Sequence, residues 1–189
     1  MTNEINYLRI LEHPNMLRFE ELYEDENYIH IITELLNAGT VSDKNQKKMT
    51  VFEACFVLKS VLELLVYLAE NCIAHRDIKP GNIMFHRTKD NKVICKLIDF
   101  GLCADTKDKS NTTLLKDRAG TVCYLAPELI ECNPEKGYYE TKVDVFSISM
   151  VFWELLTGKN PIRVPRRKGE QRRKSKEYRW VQLIWLTAG

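Results

Sequence analysis

Asp77, Lys79 and Asn82 fall within six residues of "AHRDIKPGNIMF" (74–85), and a second carboxylate, Asp99, stands in "DFG" at 99–101. An amide oxygen and a carboxylate are hard oxygen ligands, the kind that suits Mg²⁺ when phosphates complete its shell. Lys79 is a mobile point charge suited to a phosphate oxygen. Asp77 is then free to accept or orient a hydroxyl proton. Gly101 is expected to allow the sharp turn that aims Asp99. Together these groups would stabilise the charge of a phosphoryl transfer and leave little covalent chemistry to the protein.

The elements around these residues have to hold them. "NEINYLRIL" (3–11) places Ile5, Leu8 and Leu11 on one helical face, and Pro14 biases His13 out of the helix. "MLRFEELYEDENYIHIITELL" (16–36) reads as two strands about the acidic turn "EDEN", followed by a loop at 37–40. Thr50 and Glu53 form a capping box for a long helix whose expected buried stripe is Leu58, Val61, Leu62, Leu65 and Leu68. "NIMF" and "VICKLI" read as two short strands joined by "HRTKDN". "DVFSISMVFWELLTG" (144–158) is apolar almost all round and is expected to be a central, buried helix.

Composition sets the limits. The chain has 189 residues, 44% apolar and 29% charged, enough for one domain with a core. The net charge of +2 is uninformative, because the basic excess is local: "RVPRRKGEQRRKSK" (163–176) holds eight basic residues. That run is a solvated tail or, less readily, a nuclear-import or nucleic-acid patch. Six cysteines without a CxxC pair read as reduced, mostly buried thiols of an intracellular protein, cytoplasmic first and nuclear second. "LELLVYLA" is too short to span a bilayer, so no membrane role is expected.

The motifs His75-Arg76-Asp77 with Lys79 and Asn82, Asp99-Phe100-Gly101, Ala126-Pro127-Glu128 and Asp144, in that order, resemble those of the eukaryotic protein kinases. The likeness runs over about residues 3–161. It implies an α+β, kinase-like fold that is mostly the helical C-lobe, with a remnant of the N-lobe made of the family's αC helix and two strands. Residues 1–36 would be that remnant and the hinge, 37–162 the C-lobe to its central helix, and 163–189 a divergent tail.

Site roles follow from the same resemblance. Asp77 resembles the catalytic base, Lys79 the γ-phosphate lysine, Asn82 and Asp99 the two magnesium ligands. Lysine two after the aspartate is the serine/threonine pattern, and Thr121 matches the substrate-binding threonine. Thr33 resembles the gatekeeper, Glu34 and Leu36 belong to the hinge that binds adenine, and Met84 would lie under the ring; Thr33 and Met84 equally suit ordinary core positions. Leu8, Phe19, His75 and Phe100 fall where the family stacks its regulatory spine. Glu4 is either the αC glutamate or a solvated helix residue. Arg76 would receive a phosphate on the activation segment, with Ser110, Thr112 and Thr113 as acceptors.

The implied cofactors are ATP and Mg²⁺, and the implied partner is a protein substrate. The family's glycine-rich loop and strand lysine precede αC. Only three residues precede Glu4 here, and neither glycine nor lysine occurs before Gly39 and Lys44. The expectation is a serine/threonine kinase domain truncated at both ends, short of the clamp that holds ATP from above. The alternatives are a non-catalytic binding module and a fragment of a longer kinase.

Overall fold

The computed structural model describes residues 3–44, 48–107, 115, 117–131, 141–160 and 162. The acceptor candidates Ser110, Thr112 and Thr113 and the tail from 163 lie outside them.

Helix α1 (Asn3–Ile10) buries Ile5, Tyr7 and Leu8 and ends before the His13-Pro14 turn. Strands β1 (Phe19–Glu24) and β2 (Ile29–Thr33) pair antiparallel across the acidic turn, with a register irregularity between Phe19 and Glu21. Asp25 holds that turn by accepting hydrogen bonds from the Asn27 and Tyr28 N–H groups. A four-residue helix, α2 (Val41–Lys44), follows.

Helix α3 (Val51–Glu70) opens on the expected capping box, with Thr50 and Glu53 each satisfying the other's backbone N–H. Its buried face is Ala54, Val57, Ser60, Val61, Leu64, Leu65 and Leu68. The expected stripe is therefore rotated: Leu58 and Leu62 are only half-buried, and Val57 and Leu64 take their place. The core lies between α3 and α5 (Lys142–Thr157), the helix pair in closest contact.

Helix α5 buries Val143, Asp144, Ser147, Ile148, Met150, Val151 and Leu155. It is less enclosed than its composition implies, since Trp153 is 54% exposed and Val145 is also exposed. Five free thiols are described. Cys95 and Cys103 are buried, Cys72 and Cys123 half-buried and Cys55 exposed, so burial is less general than expected. Among the described residues no helix is long and apolar enough to cross a membrane.

The site is carried by small sheets at one edge of this core. Strand β3 (Ile73–Ala74) pairs with β6 (Ala104–Asp105), and β4 (Ile83–Arg87) pairs with β5 (Val93–Leu97). The loop bearing Asp77 leaves β3, and a 3-10 turn, Pro80–Asn82, leads into β4. Asp99 follows β5. Residues 15–18 are laced to the same strand, through Leu97 N–H to Asn15 C=O (2.8 Å) and Leu17 N–H to Leu97 C=O (3.0 Å). A short helix, α4 (Pro127–Glu131), closes the segment after Thr121.

Candidate active site

Asp77 is buried at the centre of a hydrogen-bonded set. Lys79 Nζ donates to its Oδ2 (2.5 Å), Thr121 Oγ1 donates to its Oδ1 (2.5 Å), and Lys79 Nζ also reaches Thr121 Oγ1 (3.3 Å). Asn82 Nδ2 donates to the Asp77 carbonyl (3.0 Å) and carboxylate (3.1 Å) and lies 3.4 Å from Asp99 Oδ2. The structure thus brings Asp77, Lys79, Asn82, Asp99 and Thr121 into one cluster. Burial pushes the Asp77 carboxyl up, but the hydrogen bonds from Lys79, Thr121 and Asn82, with the Lys79 charge, hold it below its usual value. Asp77 is therefore ionised at neutral pH, as an acceptor of a hydroxyl proton must be.

The backbone beneath is fixed from behind. Asp144, fully buried at the head of α5, accepts the N–H groups of His75 (2.7 Å) and Arg76 (2.8 Å). Burial raises the Asp144 carboxyl to about 6, against the lowering effect of those two bonds and the Arg76 charge. His75 Nδ1 accepts the Asp77 N–H (3.3 Å), which leaves the proton on the buried Nε2, on the side of the Ile98 backbone. The His75 and Phe100 rings meet edge to face at 5.0 Å, with Leu8 and Phe100 in the main core and Phe19 packed against it.

Asp99, not Gly101, takes the left-handed backbone, at φ 64°. Aspartate tolerates that region better than most residues. A Cβ at 101 would stand 3.2 Å from Asp99 Oδ1, which accepts the Gly101 N–H, so that carboxylate would have to shift by a few tenths of an ångström.

The hinge residues occupy a different surface. The Glu34 side chain does not face the cluster: it accepts from Lys96 Nζ (2.6 Å) and the Arg18 N–H (2.7 Å). Lys96 also donates to the Met16 carbonyl (3.0 Å), a buried tie that sequence reading missed because nothing in "VICKLI" marks its lysine as buried. Among the described residues the Leu36 N–H and C=O form no hydrogen bond. Met84 is half-buried and bridges to Thr40, and Thr33 closes β2, half-buried. Glu4 stands near Asp99, and burial together with the Asp99 charge raises its pKa. No cation pairs with Glu4 among the described residues.

Among the described residues no three His, Cys, Asp or Glu side chains could hold a metal by themselves. Asn82 and Asp99 supply two hard oxygens, which fits a Mg²⁺ that takes the rest of its shell from phosphates and water.

The sequence profile of the protein kinase domain matches residues 1–187. The chain belongs to the protein kinase family. It is 37% identical over 160 residues to "Calcium-dependent protein kinase 3" of Plasmodium yoelii yoelii, covering 84% of this chain and 28% of that one. It is 30% identical over 163 residues to "Calcium-dependent protein kinase 4" of Plasmodium berghei (strain Anka), 85% of this chain and 29% of that one. To "Calcium/calmodulin-dependent protein kinase type 1" of Macrobrachium nipponense it is 33% identical over 164 residues, 85% of this chain and 45% of that one. It spans less than half the length of each of these relatives.

Proposed function

We propose that this kinase-family chain acts as, or within, a serine/threonine protein kinase, transferring the ATP γ-phosphate to hydroxyls of a protein substrate. Residues 1–36 would carry the upper elements and hinge and 37–162 the helical lobe, with the protein inside the cell. The observation that carries the reading is the shared carboxylate: Asp77 binds Lys79 and Thr121 at once, with Asn82 linking it to Asp99.

Bound MgATP would bring the phosphoryl group and the charge that offsets its own oxygens. Asn82 and Asp99 would hold the metal, and the free Leu36 backbone groups with the Glu34 carbonyl would take the adenine edge, over Met84. Thr121 orients the Asp77 carboxylate and marks where a substrate hydroxyl enters. Asp77 accepts or steers the hydroxyl proton. Lys79 keeps positive charge beside both, where negative charge accumulates during transfer.

A second reading, a non-catalytic kinase-like module, draws on Glu4, whose carboxylate faces Asp99 without a cation among the described residues. One pair of assays separates the two. For the kinase, MgATP at a hundred times its dissociation constant raises stability by about 2.7 kcal/mol. Phosphate then enters a protein substrate, and both effects are lost in Asp99→Asn. Asp77→Asn keeps the thermal shift and loses transfer. A cooperative melt that nucleotide does not move would favour the module.

A further inference from the structure

Helix α3 carries an apolar strip that the fold leaves in water. Val51 is 66% exposed and Val66 59%, Cys55 is exposed, and Leu58 and Leu62 are half-buried. At 3.6 residues per turn, positions 51, 55, 58, 62 and 66 share one side of the helix, an arc of about 80°. Cys55, Leu58, Leu62 and Val66 line a groove of about 320 Å³ there, edged by Lys59 and Glu63. Single exposed apolar side chains are ordinary, but a continuous strip marks a surface that meets another surface.

The charges at its edge narrow the choice of partner. Lys59 and Glu63 stand one turn apart on the same flank, their side chains 77% and 53% exposed, with Nζ 3.7 Å from Glu63 Oε1. An ion pair so exposed is weakly held, and both charges can pair elsewhere. A second α3 laid antiparallel on the first, about a two-fold axis at the level of Val61, brings Lys59 of each copy level with Glu63 of the other. The same axis interleaves the apolar residues. Cys55 comes beside Val66 of the second copy, and Leu58 and Leu62 of both copies alternate about the centre. One axis thus satisfies charge and packing together, the mark of a self-complementary surface.

We propose that this strip is a self-docking surface, on which two copies of the chain pair antiparallel through α3, with Lys59 of each meeting Glu63 of the other. A single helix face falls short of the roughly 800 Å² per partner that a standard interface buries, so the pair is weak and concentration-dependent. No residue of the Asp77 cluster belongs to the strip, and the inference does not rest on the kinase reading.

The test is analytical ultracentrifugation of the full 189-residue chain at about 2 µM and about 200 µM, a range suited to a weak pair. The weight-average mass of the wild type should rise toward twice the monomer value at the upper concentration. Val66→Asp puts a charge into the strip at an exposed position and should stay monomeric. Lys59→Glu and Glu63→Lys should each associate at least about tenfold more weakly, because each sets like charges against one another across the axis. Mixed in equal amounts, the two variants should associate again, to within about threefold of wild type, since one now carries two carboxylates and the other two ammonium groups. Both have lost the pair within the helix, so recovery on mixing reports only the contact between copies.

A wild type that stays monomeric at both concentrations overturns the proposal, and if its Cys55 also resists alkylation the strip is covered from within the same chain. Association that survives Val66→Asp overturns it as well, as does a mixture of the two charge variants that fails to recover.

Discussion

His75 shows how much of a residue's part is visible in its type. Its place in the motif was legible, but its charge state follows from packing. Burial holds the imidazole down to about 4, against the raising effects of Asp77 and Asp99. A histidine whose folded pKa is depressed contributes stability that is complete above its unfolded value near 6.5 and lost as pH falls through about 4. Asp144 runs the other way: raised to about 6, it contributes below about 4 and loses that contribution as pH rises through 6. Between pH 4 and 6.5 the two slopes oppose each other. Urea unfolding at pH 7, 5.5 and 4 separates them. In His75→Phe the histidine contribution is absent, so the stability gap between wild type and variant should shift in the variant's favour by roughly 3 kcal/mol from pH 7 to pH 4. A gap constant with pH would mean that the imidazole takes up its proton in the fold as readily as in the unfolded chain. Part of the candidate site was legible for a related reason. Asp77, Lys79 and Asn82 fall within six residues, and local spacing and chemical type survive in one dimension. Thr121, 44 residues from Asp77, was placed only by its likeness to a family motif. Lys96 and Asp117 were not legible, because their partners Glu34 and Arg76 are brought to them only by the folded chain.

At the scale of elements, periodicity identified α1, α3 and α5 and alternation found the hairpins, but facing was read less well. Helix α3 has apolar residues on more than one side, so leucine spacing alone admits two stripes. The choice falls to α5 and β5, which pack on Val57, Val61, Leu64 and Leu68. Leu58 and Leu62 line a shallow apolar surface with Cys55 and Val66 instead. Truncation measures this directly. Leu64→Ala removes a fully buried side chain and should cost about 2–5 kcal/mol. Leu62→Ala should cost less, about 1–2 kcal/mol, since Leu62 is only half-buried and packs on the edge of the core. Chemical denaturation of both variants decides the orientation, and equal losses would restore the Leu58–Leu62 stripe. The turn at Asp99 teaches the same lesson on a smaller element: glycine two residues on suggested where the backbone bends, whereas the left-handed bend sits on the aspartate itself.

Across the whole molecule, α1 and the β1–β2 hairpin are fastened to the helical part at separate points. Tyr7 donates to Asp105 (3.2 Å), Asn15 Nδ2 donates to the Cys95 carbonyl (2.8 Å), and Lys96 joins Glu34 and Met16. Leu8 and Phe100 share the core. Glu4 is the point where this closure works against itself, since its carboxylate approaches Asp99 and both burial and that charge raise its pKa. A carboxyl whose folded pKa is raised contributes stability below its unfolded value, near 4.5, and loses it as pH rises through the folded one. At neutral pH an ionised Glu4 therefore opposes closure of α1 on Asp99. Glu4→Gln should raise the melting temperature of the 189-residue chain at pH 7, and the gain should vanish at pH 4, where the wild-type carboxyl is protonated. Millimolar Mg²⁺ should narrow the gap at pH 7 by offsetting the Asp99 charge. The opposite sign, a lower melting temperature for Glu4→Gln at pH 7, would show that Glu4 is paired with a cation from residues beyond those described.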